Sequence, residues 1–212
     1  MSRSERPFPR DRYQPEPEDP ARPRLFFAVP VPDPARRLVG DVMDRVQASV
    51  GDGRAKIRWV RVEGLHLTLR FLGPTPADQV ADLSRTLDTL ARSTAPFAVV
   101  IARAGAFPNP IRPRTLWLGI ETGADRLATL ARELEAAITA DGPPLGTRPF
   151  APHLTIARTD GLRTAGAAAA ALRDAAEELE AAFVADRVVL YRSYLGRGPA
   201  RYEAVHEAAL GG

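Results

Sequence analysis

Apolar residues come first in short dense runs and then at four-residue intervals, and this alternation repeats along the chain. Arg24-Leu25-Phe26-Phe27-Ala28-Val29, stopped by Pro30 and Pro32, reads as a buried strand. Asp33 is the expected N-cap of a helix with Pro34 at its first position, and Leu38, Val42 and Val46 form its apolar stripe until Gly51-Asp52-Gly53. Ile57-Arg58-Trp59-Val60 reads as a strand that turns at Glu63-Gly64 into a second one, Leu65 to Leu72, ended by Gly73-Pro74. Val80, Leu83, Leu87 and Leu90 then mark a helix face, and Phe97 to Ile101 a further strand.

The order starts again after the proline-rich connection Phe107 to Pro113. Thr115 to Ile120 is a strand, and Leu127, Leu130, Leu134 and Ile138 stripe a helix expected to end near Gly142-Pro143. Pro152 to Arg158 is another strand, ended by Thr159-Asp160-Gly161. The Ala-rich stretch 165–182, with Leu172 and Leu179 on one face, predicts a helix. Val184 to Leu195 predicts one long final strand, with Arg201 to Val205 adding an edge strand. Both halves thus read strand, helix, strand, helix, strand, a degenerate duplication with a period of about 90 residues. The expected fold class is α+β: two lobes related by a pseudo-two-fold axis, each an antiparallel sheet with helices outside, and a cleft between the sheets.

The matching strands carry the chemistry. Leu65-His66-Leu67-Thr68-Leu69-Arg70 and Pro152-His153-Leu154-Thr155-Ile156 both place His and Thr two residues apart, 87 positions separating the copies. In a strand, residues i and i+2 share a face, so each His/Thr pair projects together while Leu65, Leu67 and Leu69, or Leu154 and Ile156, enter the core. By the same alternation Arg70 joins the His66/Thr68 face, and Arg158 follows the second copy closely, so either could add a cation. A lone strand histidine is more often a packing residue. Two copies in matching lobes, in a chain with three histidines, reverse that expectation. His206 lies outside the repeat and receives no role.

Composition narrows the setting. The chain has 212 residues, 45% hydrophobic and 26% charged, ordinary for a globular protein, and no apolar run approaches the roughly 18 residues of a membrane span. It has no cysteine, which removes disulfides, thiolate nucleophiles and Cys-ligated metals and makes a cytoplasmic location the default. Residues 1–23, with six prolines among mixed charges, read as a flexible tail, and 24–212 as a single bilobal domain. Net charge is +3, but Lys56 is the only lysine, so 28 of 29 basic residues are Arg, the side chain best matched to phosphate. Biased genome composition explains that excess more simply.

Two imidazoles facing one another suit acid–base work near neutral pH, because an unperturbed His has a pKa of about 6.5. Displacement at phosphorus needs a base on the entering oxygen and an acid on the leaving one, on opposite sides. Each Thr hydroxyl can donate to a non-bridging oxygen. A metal site is the weaker reading, since neither copy contains His-x-His or His-Glu-x-x-His. No cofactor is expected. Phe71 and Trp117 lie near the expected cleft and could stack on a base, but core packing is the preferred reading of both.

His66 to Gly73, preceded by Arg58-Trp59-Val60, together with Phe150 to Arg158, closely resembles the 2H phosphoesterase superfamily. Within it the chain resembles the bacterial and archaeal RNA 2′,3′-cyclic phosphodiesterases, also called 2′-5′ RNA ligases of the LigT type. The likeness runs from about Leu25 to Val205 and includes Leu116-Trp117-Leu118-Gly119, Tyr191-Arg192-Ser193 and Gly198. It implies metal-independent hydrolysis of a terminal 2′,3′-cyclic phosphate, on RNA or a nucleotide, to a 2′-phosphomonoester. By that analogy His66 is the proton donor, His153 the proton acceptor, and Thr68, Thr155 and Arg158 hold the phosphate. A monomer without membrane partners is expected. Alternatives are ligation of 2′-5′ RNA ends or opening of another cyclic phosphodiester at the same site, or RNA-end binding without turnover.

Overall fold

The computed structural model describes residues 19–51, 56–138, 150–161, 165–196 and 199–211. The elements run β1 (Arg24–Pro30), α1 (Asp33–Val50), β2 (Ile57–Trp59), β3 (His66–Pro74), α2 (Val80–Arg92), β4 (Phe97–Phe107), β5 (Thr115–Thr122), α3 (Ala124–Ile138), β6 (His153–Thr159), α4 (Gly166–Ala175), β7 (Ala181–Ala185), β8 (Arg187–Tyr194) and β9 (Arg201–Ala209). Two antiparallel sheets form, one in the order β3-β1-β8-β9 and the other β2-β6-β5-β4-β7. The expected α+β architecture of two sheets with four helices is therefore present. No helix among the described residues is long and apolar enough to cross a membrane.

Each sheet has a greasy face and a chemical one. Leu25, Phe27 and Val29 of β1, Leu67 and Leu69 of β3, Leu116 and Leu118 of β5, and Leu154 and Ile156 of β6 all belong to one buried core. The helices close that core with their apolar stripes. On α1 the buried positions are Ala35, Val39, Val42, Met43 and Val46, the spacing of a single helix face. Helices α2 and α3 pack on β8, β9 and β3 of the first sheet, while α1 and α4 pack together and reach β7 and β4 of the second. The two halves of the chain consequently interleave, because β2 belongs to the second sheet and β8 and β9 to the first.

Several local expectations are corrected. Asp33 is the first residue of α1 and makes no cap; Pro32 precedes the helix, and the Asp33 carboxylate pairs with Arg36. The Ala-rich helix stops at Ala175, and Ala181 instead enters a strand opposite Ile101, where its small side chain is fully buried. The single final strand is two, divided at Asp186: β7 pairs with β4 in the second sheet and β8 with β1 in the first. Phe97 to Ile101 continues to Phe107 as β4, with Arg103 at a positive φ of 62° where the register against β5 shifts. At the start of α3, Gly123 has φ 85°, and a Cβ there would lie 2.4 Å from the Ala98 carbonyl oxygen, so only glycine fits.

Residues 1–18 of the expected tail, the predicted helix ends at Asp52-Gly53 and Gly142-Pro143, and Gly198 of the family likeness lie outside the described residues. Ala21 and Pro23 do accept backbone hydrogen bonds from Ala77 and Thr75. Because Leu118 is completely buried between the sheet and its helices, Leu118→Ala should lower unfolding free energy by about 2–5 kcal/mol. Urea denaturation would read that loss as a shift in midpoint.

Candidate active site

His66 is the first residue of β3 and His153 the first residue of β6, and these two strands lie against each other where the sheets meet. The chain arrives at each histidine in a similar way. A 3-10 turn over Val62–Gly64 leads into β3, and Ala151-Pro152 leads into β6. In both copies the imidazole Nδ1 is 2.7 Å from the backbone carbonyl oxygen two residues upstream, Gly64 for His66 and Ala151 for His153. A carbonyl oxygen can only accept, so Nδ1 carries the proton in each ring. Nε2 is left in both as the atom that can take or give one.

Aromatic rings hold the imidazoles in place. His66 packs 4.8 Å from the Phe26 ring and 4.8 Å, edge-on, from Tyr202, with Tyr191 at 5.9 Å. Burial among these rings pulls the His66 pKa down from 6.5 to about 4, and the Gly64 hydrogen bond opposes the shift only in part. His153 stands edge-on to Phe107 at 5.2 Å, with Trp117 at 6.3 Å. Trp117 lies flat on Gly105, where a Cβ would come within 2.2 Å of its ring, so the glycine makes room for the indole.

Thr68 and Thr155 lie on the same faces as their histidines. Thr68 is opposite Ala28 of β1, and Thr155 is opposite Trp117 of β5. Past each threonine the register shifts, and the two-residue alternation changes phase. In β3, Phe27 faces Arg70 and Phe26 faces Phe71; in β6, Leu116 faces Ala157 and Thr115 faces Arg158. Arg70 therefore turns to the helix side, where it pairs with Glu135 of α3, and the expectation that it adds a cation beside His66 is overturned. The residue five positions after each histidine takes the chemical face instead: Phe71 in the first lobe, Arg158 in the second.

Phe71 is 58% exposed, so it is not the core residue preferred from sequence; Trp117 is half-buried. Arg158 lies beside Arg58 of β2 and is exposed. It is also close enough to Tyr202, in the other sheet, to act on it: burial raises the Tyr202 phenol above its usual range and the Arg158 charge works against that rise. The structure thus brings His66, Thr68, His153, Thr155 and Arg158 to one seam. Sequence reasoning gave no place at the site to Phe26, Tyr191 and Tyr202 around His66 or to Phe107 beside His153, although Phe107, Tyr191 and Tyr202 belong to the family likeness, because ring contacts between distant segments leave no local pattern. His206 pairs with Asp88 of α2 at 2.7 Å, away from the seam.

The depressed His66 pKa gives a titration to measure. The ring is neutral at pH 7 and charges only as pH falls through about 4, whereas the unfolded chain takes that proton near 6.5. The fold accordingly loses stability as pH drops through that interval, where the unfolded state binds more protons. Imidazole NMR signals of His66 should titrate near 4 in the free protein; a midpoint at 6.5 would contradict the packing described.

Residues 31–197 match the 2′-5′ RNA ligase superfamily. An RNA 2′,3′-cyclic phosphodiesterase of Geobacillus stearothermophilus is 33% identical over 193 residues, 87% of this chain; the chain spans only 56% of the length of that relative. Among solved structures, E. coli LigT complexed with 3′-AMP aligns with a TM-score of 0.66 at 28% identity, covering 89% of this chain and 98% of LigT. A protein of Thermus thermophilus aligns with a TM-score of 0.68 at 28% identity over the same shares. With its paired histidine strands in the matched region, the chain belongs to the 2′-5′ RNA ligase superfamily.

Proposed function

We propose that this protein is an RNA 2′,3′-cyclic phosphodiesterase that opens a terminal 2′,3′-cyclic phosphate to a 2′-phosphomonoester without a metal ion. The observation that carries this reading is the repeated hydrogen bond from Nδ1 to the carbonyl two residues upstream, which leaves two Nε2 atoms for proton transfer. Relatives named RNA 2′,3′-cyclic phosphodiesterase and a LigT structure holding 3′-AMP support the substrate class.

In the reaction, water attacks phosphorus opposite the ribose 3′-oxygen and gives its proton to Nε2 of His153. The bond from phosphorus to the 3′-oxygen breaks, and that oxygen takes a proton from Nε2 of His66. Thr68 and Thr155 donate hydroxyls to the non-bridging oxygens, and Arg158 offsets their charge. Phe71, on the His66 face, offers a ring on which the terminal base can stack. His66 must be protonated to act as the donor, and an incoming phosphodiester anion raises its pKa from the low value of the free protein. That low value also favours a second reading with the roles exchanged, His66 as base and His153 as acid.

Protein treated with EDTA should still open a cyclic nucleotide and yield only the 2′-phosphate. His66→Ala and His153→Ala should each lose about 10² to 10⁴ in kcat while remaining folded. Full activity in either variant, or loss on chelation, sinks the mechanism. A phosphodiester with a p-nitrophenolate leaving group needs no acid, so the variant lacking the acid should recover on it; recovery of His153→Ala instead of His66→Ala would exchange the roles. Appearance of 2′-5′-joined product from RNA halves would add ligation, the same step with a 5′-hydroxyl in place of water.

A further inference from the structure

His66 also forms part of the wall of a cavity of about 270 Å³ whose other lining residues include Arg36, Arg61, Tyr191, Arg201 and Tyr202. That is on the order of ten water volumes, room for a hydrated anion. Three arginines line it, with Glu63 as the one acidic residue among the lining. Arg36 is already engaged, donating to the Glu63 backbone carbonyl at 2.9 Å and pairing with Asp33. Arg201 lies 4.1 Å from the Tyr194 ring centroid, a contact that orients the guanidinium without neutralising it. Among the described residues neither Arg61 nor Arg201 makes an ion pair with a carboxylate, and both are exposed.

The reacting phosphate needs none of these three arginines, since Thr68, Thr155 and Arg158 already surround it in the proposed reaction. A second concave, cationic wall that shares His66 and Tyr202 with the reaction site fits a second phosphate on the same substrate. We infer that this cavity holds a second phosphate group, the internucleotide phosphodiester of the strand that leads to the cyclic end, with Arg61 and Arg201 as its ligands. This rests on the function proposed above. It makes the preferred substrate an oligonucleotide end, not a cyclic mononucleotide.

Three substrates test the assignment: a 2′,3′-cyclic mononucleotide with a free 5′-hydroxyl, the same molecule with a 5′-phosphate, and a dinucleotide ending in the cyclic phosphate. The intact protein should prefer the dinucleotide to the 5′-hydroxyl mononucleotide in kcat/KM. Arg61→Ala and Arg201→Ala should each remove about tenfold of that preference, the size of one charge-assisted hydrogen bond. Both variants should keep the mononucleotide rate within twofold, and Arg61→Lys should restore part of the preference. If the 5′-phosphate alone reproduces the dinucleotide rate, the phosphate comes from a nucleotide end and the strand assignment is overturned. Equal losses on all three substrates, or no preference in the intact protein, overturn the second-phosphate site. Failure of the intact protein to cleave any of them would instead overturn the phosphodiesterase reading.

Discussion

A neutral imidazole has one donor and one acceptor nitrogen, and its chemistry depends on which is which. Here a backbone carbonyl two residues upstream fixes the answer at both histidines, at the same 2.7 Å. Side-chain partners such as a carboxylate would orient the ring too, but would also add a charge to be buried beside it. The carbonyl orients without charging. It does so only because each histidine opens its strand, so that the preceding residues curl back and not onward; the 3-10 turn before His66 and the Ala151-Pro152 pair before His153 are different local solutions to that one requirement.

From this shared frame the two lobes diverge. Past each His-x-Thr, an irregularity in the ladder brings the fifth residue after the histidine onto the chemical face. Phe71 occupies that position in one lobe and Arg158 in the other, so one wall is aromatic and the other cationic. The surroundings follow suit: His66 is buried among Phe26, Tyr191 and Tyr202, which lowers its pKa, while His153 is more open beside Phe107 and Trp117. Two equivalent imidazoles have thereby become inequivalent, the condition an acid–base pair needs.

Much of this was legible in the chain. Strict alternation around His66 and His153 located both strands and their polar faces, and four-residue spacing located the helices, because these signals come from side chains alone. What stayed hidden depends on backbone events. The ladder irregularity beyond Thr68 has no side-chain signature, so alternation put Arg70 on the wrong face and gave no reason to bring Phe71 out. Ala181 favours helix by propensity, yet it is completely buried in a strand opposite Ile101, where tertiary packing overrides that propensity. The break at Asp186 was invisible because Phe183-Val184-Ala185 and Val188-Val189-Leu190 are equally strand-like, and the Asp186-Arg187 pair between them carries no Gly or Pro to mark a stop.

That break has a mechanical meaning. Asp186 alone separates β7 from β8, two strands stitched into different sheets, and its carbonyl is further pinned by the amide of Leu210 at 2.7 Å. Hinges need several torsions to spread their rotation over, and this crossing offers few. The sheets that carry His66 and His153 are therefore moored to one another at this crossing, which leaves little room there for one to swing against the other.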